Sequence, residues 1–388
     1  MRPLEGISVV ELGMWVAAPA AATMLADWGA DVVKVEAPTG DPNRYTLRHV
    51  GQDIDSAPPF ETDNRGKRGI VLDLRAEDGK AVLEQLLERA DVFVTNLRPG
   101  ALERLGLAPD ELRARHPRLV VGTLTGYGWT GAERDRAGYD VSAFWARPGI
   151  AAMLNPAGEP PPGIRPGLGD RTAAANLVAG VLAALLRRER TGEGGVVDVS
   201  LLRSGTYANG NDLALQNFFG RRGRTRHRTE HESPLYNSYR AADDRWFWLV
   251  GLEGNRHWPG VVKALGRADL ETDERFATGK QRRAHVRELI AVFDEDFARR
   301  PLDEWARRFD AEGVWWAPVQ TLAEVAADPQ AEAIGAFVEQ PGMGDAPPLR
   351  TVATPVSFWG VDDKPRSGAP TLGEHTDDVL RELDTTGR

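Results

Sequence analysis

A short apolar run, Ile7 to Glu11, is followed by an alanine-rich stretch from Ala20 to Trp28 and, after Gly29, by a second β-branched run, Asp31 to Glu36 (DVVKVE). Strand, helix and strand in that order form a βαβ unit, whose crossover makes the strands parallel and requires helices on both faces of the sheet. The expected fold class is therefore α/β, with a doubly wound parallel sheet. Ile70 to Leu74, Asp91 to Asn96 (DVFVTN), Leu119 to Leu124 and Val196 to Ser200 read as its further strands. The turn after the first strand is GMWVAAP and lacks G-x-G-x-x-G. Without that fingerprint a nicotinamide or flavin enzyme is disfavoured.

At 388 residues the chain exceeds what one core usually supports, so two domains are expected. A net charge of −9 argues against nonspecific nucleic-acid or anionic-membrane partners, although local basic clusters could still hold phosphates. The absence of cysteine removes disulfides, thiolate nucleophiles and cysteine-ligated metals together. The histidines show neither H-x-x-x-H nor H-E-x-x-H spacing, and no metal site is expected. Near the start, Glu5 and Glu11 interrupt what would otherwise resemble a signal peptide, and no apolar run approaches the ~20 residues of a membrane helix. A cytoplasmic location is expected.

The stretch from Pro160 to Gly195 is a Pro/Gly-rich loop running into a helix. Ala174, Leu177, Val178, Val181, Leu182 and Leu185 mark its buried face, basic residues fill its last turn and Gly192 ends it. Asp170 stands at the junction and reads as the N-cap. In that role it would accept an orphan backbone N–H, a contribution of about 1 kcal/mol. The same position could instead present a carboxylate nucleophile at the positive end of a helix, which favours the ionised form and can stabilise an oxyanion. Spacing alone leaves both readings open.

Asp41 to Gly69 reads as a long polar loop, of a length that usually serves function. Asn64, Arg65, Lys67 and Arg68 are expected at the mouth of the strand that follows. Asp78 to Arg89 reads as an amphipathic helix. Arg98 and Arg104 fall near the carboxyl edge of the sheet, where open α/β folds bind ligands, though both could be merely solvated. Leu201 to Phe219 reads as one long helix, and Arg221 to Glu230 (RRGRTRHRTE) as a solvated basic linker. The Trp-rich segment from Ser233 to about Trp316 reads as a smaller α+β domain. Helices near 322–327 and 329–333, strands around Phe337 and Thr354, and a final helix from about Thr376 to Leu383 complete the chain. The expected boundaries are 1–220 for the large domain, 221–320 for the small domain with its linkers, and 321–388 for a return to the large domain.

LEGISVVELG, LADWGADVVKVEAP, NRGKRGIVLDLR, ADVFVTNLRPGALERLGL, GYGWTG, AGYD, LGDRTAAANLVAGVLAAL, TGEGGVVDVSLL and the terminal LGEHTDDVL, in this order, resemble the class III coenzyme A-transferases. That group includes formyl-CoA and carnitine-CoA transferases and α-methylacyl-CoA racemases. The resemblance implies a Rossmann-like large domain without G-x-G-x-x-G, a smaller domain, and a homodimer whose chains interlock like rings. It implies no permanently bound cofactor, with coenzyme A and acyl-CoA as substrates and carboxylic acids as partners. Asp170 in LGDRT matches the nucleophilic aspartate. Val16 and Ala17 match first-turn positions that meet diphosphate or pantetheine. Leu72 and Arg75 match adenosine-side contacts, Asn96, Leu97, Arg98 and Arg104 match the run around the nucleotide, and Tyr139 matches a loop residue beside the thioester.

The implied reaction moves coenzyme A from an acyl-CoA to an acceptor acid through an aspartyl-CoA thioester on Asp170, with backbone N–H groups after Asp170 stabilising the oxyanions. Two departures bear on it. The racemase branch would read AGHD where this chain has Tyr139 before Asp140, and a phenol is a poor base near neutral pH, which favours transfer over epimerisation. The glycine-rich flap of the formyl and oxalate enzymes, expected near residues 230–240, is replaced by TEHESPLYNSYRA, which favours a larger acyl or aromatic acid. The alternatives are a racemase or epimerase, a non-catalytic CoA-binding homologue, and catalysis by Asp140 with Asp170 only a cap.

Overall fold

In β1 (Ser8–Leu12) Val9 and Val10 point to opposite faces of the sheet, and both are buried. A strand apolar on both sides must lie inside a layered structure. β1 pairs in parallel with β2 (Asp31–Glu36) on one side and with β4 (Val92–Thr95) on the other. With β3 (Arg68–Val71), β5 (Val120–Thr125) and β6 (Gly195–Ser200) the order is β3-β2-β1-β4-β5-β6, all parallel. The chain changes direction across the sheet between β1 and β4, the switch point of a doubly wound fold. The computed structural model describes residues 1–49, 57–156, 158–220, 225, 227–362 and 364–385.

One face of the sheet packs Val9, Val32, Val92, Val94 and Val120 against α1 (Ala17–Asp27) and the later helix 168–191. The other face packs Val10, Val33, Phe93 and Val121 against α2 (Glu77–Arg89), α3 (Pro99–Arg104) and helix 376–385. Strand α-carbons alternate faces while helices offer one stripe, so two apolar cores result. Labelled α4, Leu168–Thr191 buries Ala174, Leu177, Val178, Val181 and Leu185 as the spacing required, and Gly192 closes it in the left-handed conformation at φ 77°. Leu201–Ala208 and Gly210–Phe219 (α5 and α6) replace the single long helix expected there, with a break at Asn209. The expected polar loop 41–69 contains short helices at Pro42–Tyr45, Thr46–His49 and Pro58–Thr62, while residues 50–56 lie outside the described residues.

The chain divides into two units. The first comprises Met1–Ala152, Pro162–Arg222 and Gln330–Arg388, and the second Met153–Pro161 and Gly223–Pro329. Within the second, β7 (Tyr236–Arg240), β8 (Trp246–Val250) and β9 (Trp316–Pro318) form an antiparallel sheet. Its core is aromatic: Tyr239, Phe247, Phe293, Phe297, Trp305 and Phe309 are buried together. Arg228, expected in a solvated linker, is tied into this unit instead. Its guanidinium pairs with Asp294 at 2.6 Å and lies 5.2 Å from the Tyr239 ring centre. In the first unit, β10 (Phe337–Gln340) and β11 (Leu349–Val352) make a separate hairpin, and α7 (Thr376–Thr385) packs on the sheet.

Candidate active site

The turn from β1 into α1, Gly13 to Val16, lies at the carboxyl edge of the sheet beside the switch point. It has no glycine fingerprint, and neighbouring side chains hold it in shape. Asn96, just past β4, accepts from Met14 N at 3.0 Å and donates to Met14 O at 2.7 Å. Asp41 Oδ1 accepts from Trp15 N at 3.0 Å, and Asn43 Nδ2 donates to Trp15 O at 3.2 Å. These bonds fix Trp15 in the left-handed region at φ 66°, unusual for a bulky side chain.

Beneath the turn lies a buried charge cluster. Lys34 Nζ donates to Glu11 Oε1 at 2.9 Å, Gly13 O at 3.0 Å and Asp41 Oδ2 at 3.1 Å. Lys67 Nζ donates to Glu11 Oε2 at 2.7 Å and to Pro19 O, Asp63 O and Asn64 Oδ1 at 2.8–2.9 Å. Burial and the Lys34 ammonium hold Lys67 down at about 8, although Glu11 pulls the other way. The basic residues expected at the strand mouth are thus committed to structure. Arg65 pairs with Asp27 at 2.8 Å, and Arg68 pairs with Asp31 and Glu382 at 2.6 and 2.8 Å.

A recess of about 450 Å³, within the range of small-molecule sites, opens at this edge. Segments 12–14, 35–42 and 72–75 line it, together with Leu97 and Leu105. Of the expected ligand residues, Leu72, Arg75 and Leu97 lie on its wall. Arg75 is mostly exposed and pairs with Asp73 at 2.9 Å. Arg98 and Arg104 line a separate open recess with Arg134 and Asp135. There Arg98 donates to Asp135 O at 3.1 Å, and Asp135 Oδ1 accepts from Gly100 N at 2.6 Å. The Asn96 amide faces the turn it clamps. Val16 is the N-cap residue of α1 without a capping side chain, and Ala17 is the buried first residue of that helix. Tyr139 is exposed and meets the Trp15 ring edge-on, with centres 5.9 Å apart.

Asp170 is the third residue of α4, one turn inside the position expected for it. Gly167, at φ 89°, is the N-cap, and no side chain caps the helix. A β-carbon on Gly167 would lie 3.8 Å from Val16 Cγ1, so the β1–α1 turn adjoins the start of α4. Asp140, buried, accepts from Gly167 N at 2.8 Å. A β-carbon on Gly169 would fall 2.6 Å from the Phe144 ring and 2.8 Å from Asp140 Cβ, so only glycine permits this approach. Burial, Asp140 and Asp63 together push the Asp170 carboxyl up to about 7, with Arg171 opposing. The helix N-terminus, which contributes ~0.3–1 kcal/mol toward ionisation, is outweighed. Asp63 is itself pushed up to about 6 by burial, against Arg171, Lys67 and Arg65. Among the described residues no ion pair reaches Asp170.

The first-turn donors differ from those expected. Arg171 N donates to Gly167 O at 3.0 Å and is not available to an oxyanion, whereas the N–H groups of Gly169 and Asp170 precede the helical ladder. The stretch TEHESPLYNSYRA, which stands where the glycine-rich flap was expected, is partly strand. Tyr236–Arg240 is strand β7, and Leu235, Asn237 and Tyr239 are buried, so their bulk fills the second unit's own core. Sequence reading missed Asp63, Asp41 and the Glu11–Lys34–Lys67 cluster. The one available signal was the unusual density of charge in otherwise apolar strands, Glu11 in SVVEL and Lys34 in DVVKVE. Among the described residues no cluster of His, Cys, Asp and Glu is arranged to hold a metal, and no helix is long and apolar enough to cross a membrane.

The sequence from residue 4 to 376 matches the model of CoA-transferase family III. The chain is 33% identical to (R)-2-hydroxy-4-methylpentanoate CoA-transferase of Clostridioides difficile, over 98% of this chain and 95% of the relative. It is also 33% identical to cinnamoyl-CoA:phenyllactate CoA-transferase of Clostridium sporogenes, over 98% and 93%. Among solved structures, a CAIB/BAIF family protein from Brucella suis superimposes with a TM-score of 0.86 at 32% identity, covering 99% of this chain and 100% of that one. A parallel sheet with a ligand-sized recess at its switch point, and agreement over almost the full length, lead to one conclusion: the chain belongs to CoA-transferase family III and is an enzyme that transfers coenzyme A between acyl-CoA thioesters and acids.

Proposed function

We propose that Asp170 is the nucleophile of this transfer and carries coenzyme A as an aspartyl thioester. The supporting observation is a partly accessible carboxylate without an ion-pair partner, raised to about 7, one residue from a glycine that only close packing explains. The ionised carboxylate attacks the donor thioester carbonyl, the C–S bond breaks, and CoA thiolate leaves a mixed anhydride. The thiolate attacks the Asp170 carbonyl, the anhydride C–O bond breaks, and the donor leaves as its carboxylate. An acceptor carboxylate then runs the same steps in reverse and restores Asp170. Splitting an exchange between two anions in this way is covalent catalysis. The free N–H groups of Gly169 and Asp170 are the candidates for receiving the oxyanions, a contribution of about 3 kcal/mol per donor in other acyl transfers. Coenzyme A lies along the carboxyl edge with its adenosine end toward Leu72, Arg75 and Leu97. Val16, Ala17, Asn96, Arg98, Arg104 and Tyr139 contribute from the turn, the arginine recess and the loop before Asp140.

The relatives named above act on (R)-2-hydroxy-4-methylpentanoate, phenyllactate and cinnamoyl-CoA, and a further relative from Chloroflexus aurantiacus on D-citramalate. All are larger than formate or oxalate, which supports a branched or aromatic acid here, with hydroxy acids the first acceptors to screen. The enzyme works as an interlocked homodimer in the cytoplasm. Helix α6 supports the dimer, since none of its residues is buried although it carries Leu215, Phe218 and Phe219.

Incubation with an acyl-CoA followed by intact and peptide mass spectrometry should reveal a hydroxylamine-labile adduct on Asp170. Full transfer activity in Asp170→Ala would overturn the assignment. A racemase would instead place solvent deuterium at Cα without any acceptor acid.

A further inference from the structure

Arg171 follows Asp170 directly, yet its guanidinium lies against another carboxylate: Nη2 is 2.9 Å from Asp63 Oδ1, an ion pair by distance whose angle falls outside hydrogen-bond geometry and leaves both Asp63 oxygens without a hydrogen-bond donor among the described residues. Asp63 closes the short helix Pro58–Thr62, is 1% exposed, and is anchored from behind because its backbone carbonyl accepts from Lys67 Nζ. Arg171 is nearly half exposed, so one side of its arm is free to swing. Successive helical side chains diverge by about 100°, but an arginine arm is long and flexible enough to bridge that angle. Of the two carboxylates within its reach, it pairs with the buried one and leaves Asp170 without a counter-ion.

We propose that Asp63 is a positioning residue, whose carboxylate holds the Arg171 guanidinium away from Asp170 so that the nucleophile enters the reaction unpaired. This rests on the assignment of Asp170 as nucleophile. The charged groups facing Asp170 are Asp140, Asp63 and Arg171, and those facing Asp63 are Arg171, Lys67, Arg65 and, reciprocally, Asp170. Neither of the remaining cations can stand in for Arg171, because Lys67 is held by Glu11 and Arg65 by Asp27. A carboxylate in contact with a guanidinium is a weaker base and a shielded nucleophile. Diverting that guanidinium therefore preserves reactivity in a site where burial already resists charge.

The test uses the full chain and follows the pH dependence of adduct formation on Asp170 together with kcat/KM for an acyl-CoA. In Asp63→Asn, Arg171 is released to Asp170. The acid limb should move down by about one pH unit or more, and the plateau rate should fall about tenfold. In an Arg171→Gln background the same Asp63→Asn change should move the limb by less than half as much, since only the direct Asp63 charge is then lost. Arg171→Gln alone should leave the limb unchanged or slightly raised, and it serves as the independent readout if Asp63→Asn folds poorly. A limb that stays put in Asp63→Asn, an equal shift in both backgrounds, or a lowered limb in Arg171→Gln overturns the proposal. If Asp170 takes no adduct at any pH while Asp170→Ala still transfers, the nucleophile assignment fails, and that result is distinct from all three.

Discussion

The proton on Asp170 links the proposed catalysis to stability. Burial and the neighbouring carboxylates push the folded carboxyl up to about 7 from its ordinary value of 3.8, so between those values the folded state holds more protons than the unfolded chain. Stability contributed at this site therefore falls as pH rises from about 4 to about 7 and stays low above that range. Asp170→Asn should raise stability by about 1–2 kcal/mol at pH 8, after discounting for partial exposure, with the gain shrinking toward pH 4. Urea unfolding midpoints at pH 5 and pH 8 check this. Gly169→Ala should cost about 1–3 kcal/mol by overpacking Phe144 and Asp140, and it should reduce Asp170 labelling more than it reduces acyl-CoA binding. At this scale LGDRT singled out Asp170 through family resemblance, while the spacing read it as the N-cap that Gly167 occupies instead. Asp63 was not legible, since what matters is a contact between residues more than a hundred positions apart, which no local pattern encodes.

The β1–α1 turn obtains by clamping what dinucleotide folds obtain with glycine. Asn96→Ala removes two hydrogen bonds to Met14, a loss of about 1 kcal/mol. KM for acyl-CoA should rise about fivefold, with kcat less affected, and steady-state kinetics over a range of acyl-CoA concentrations measures the split. Under the turn, one carboxylate serves two ammonium groups. Glu11→Gln should destabilise the protein by about 3–5 kcal/mol, because it strands buried charge, and thermal unfolding at neutral pH reads this directly. Five of the six strands of the parallel sheet were legible to within a residue from their β-branched runs, whereas β3, expected at Ile70–Leu74, runs Arg68–Val71. Asp170 one turn inside its helix and the break at Asn209 were not, since a left-handed glycine cap and a helix kink depend on packing more than on composition.

For the whole molecule, the apolar surface of α6 implies a covered face. In the proposed homodimer of interlocked chains the subunits separate only on unfolding, so Phe218→Glu with Leu215→Glu should lower the thermal unfolding midpoint while sedimentation still reports a dimer; a native chain that sediments as a monomer overturns the dimer, and an unchanged midpoint places its interface elsewhere than α6. The alternation of βαβ units made the layered architecture legible, because each strand's two-sided apolarity demands covering helices. The return of the last segment to the first unit was also legible in the order of its elements, whereas the interlocking of two chains followed only from family resemblance. That segment protects the edge of the sheet: His375 N donates to Gly69 O at 2.9 Å, and Val71 N to Thr376 Oγ1 at 3.1 Å. During vectorial synthesis the ribosome makes β3 roughly three hundred residues before its cover, and domains fold as units while the nascent chain emerges. The second unit, drawn from segments that end at Pro329, can thus be complete while the first still carries an unprotected strand edge open to pairing with other nascent chains.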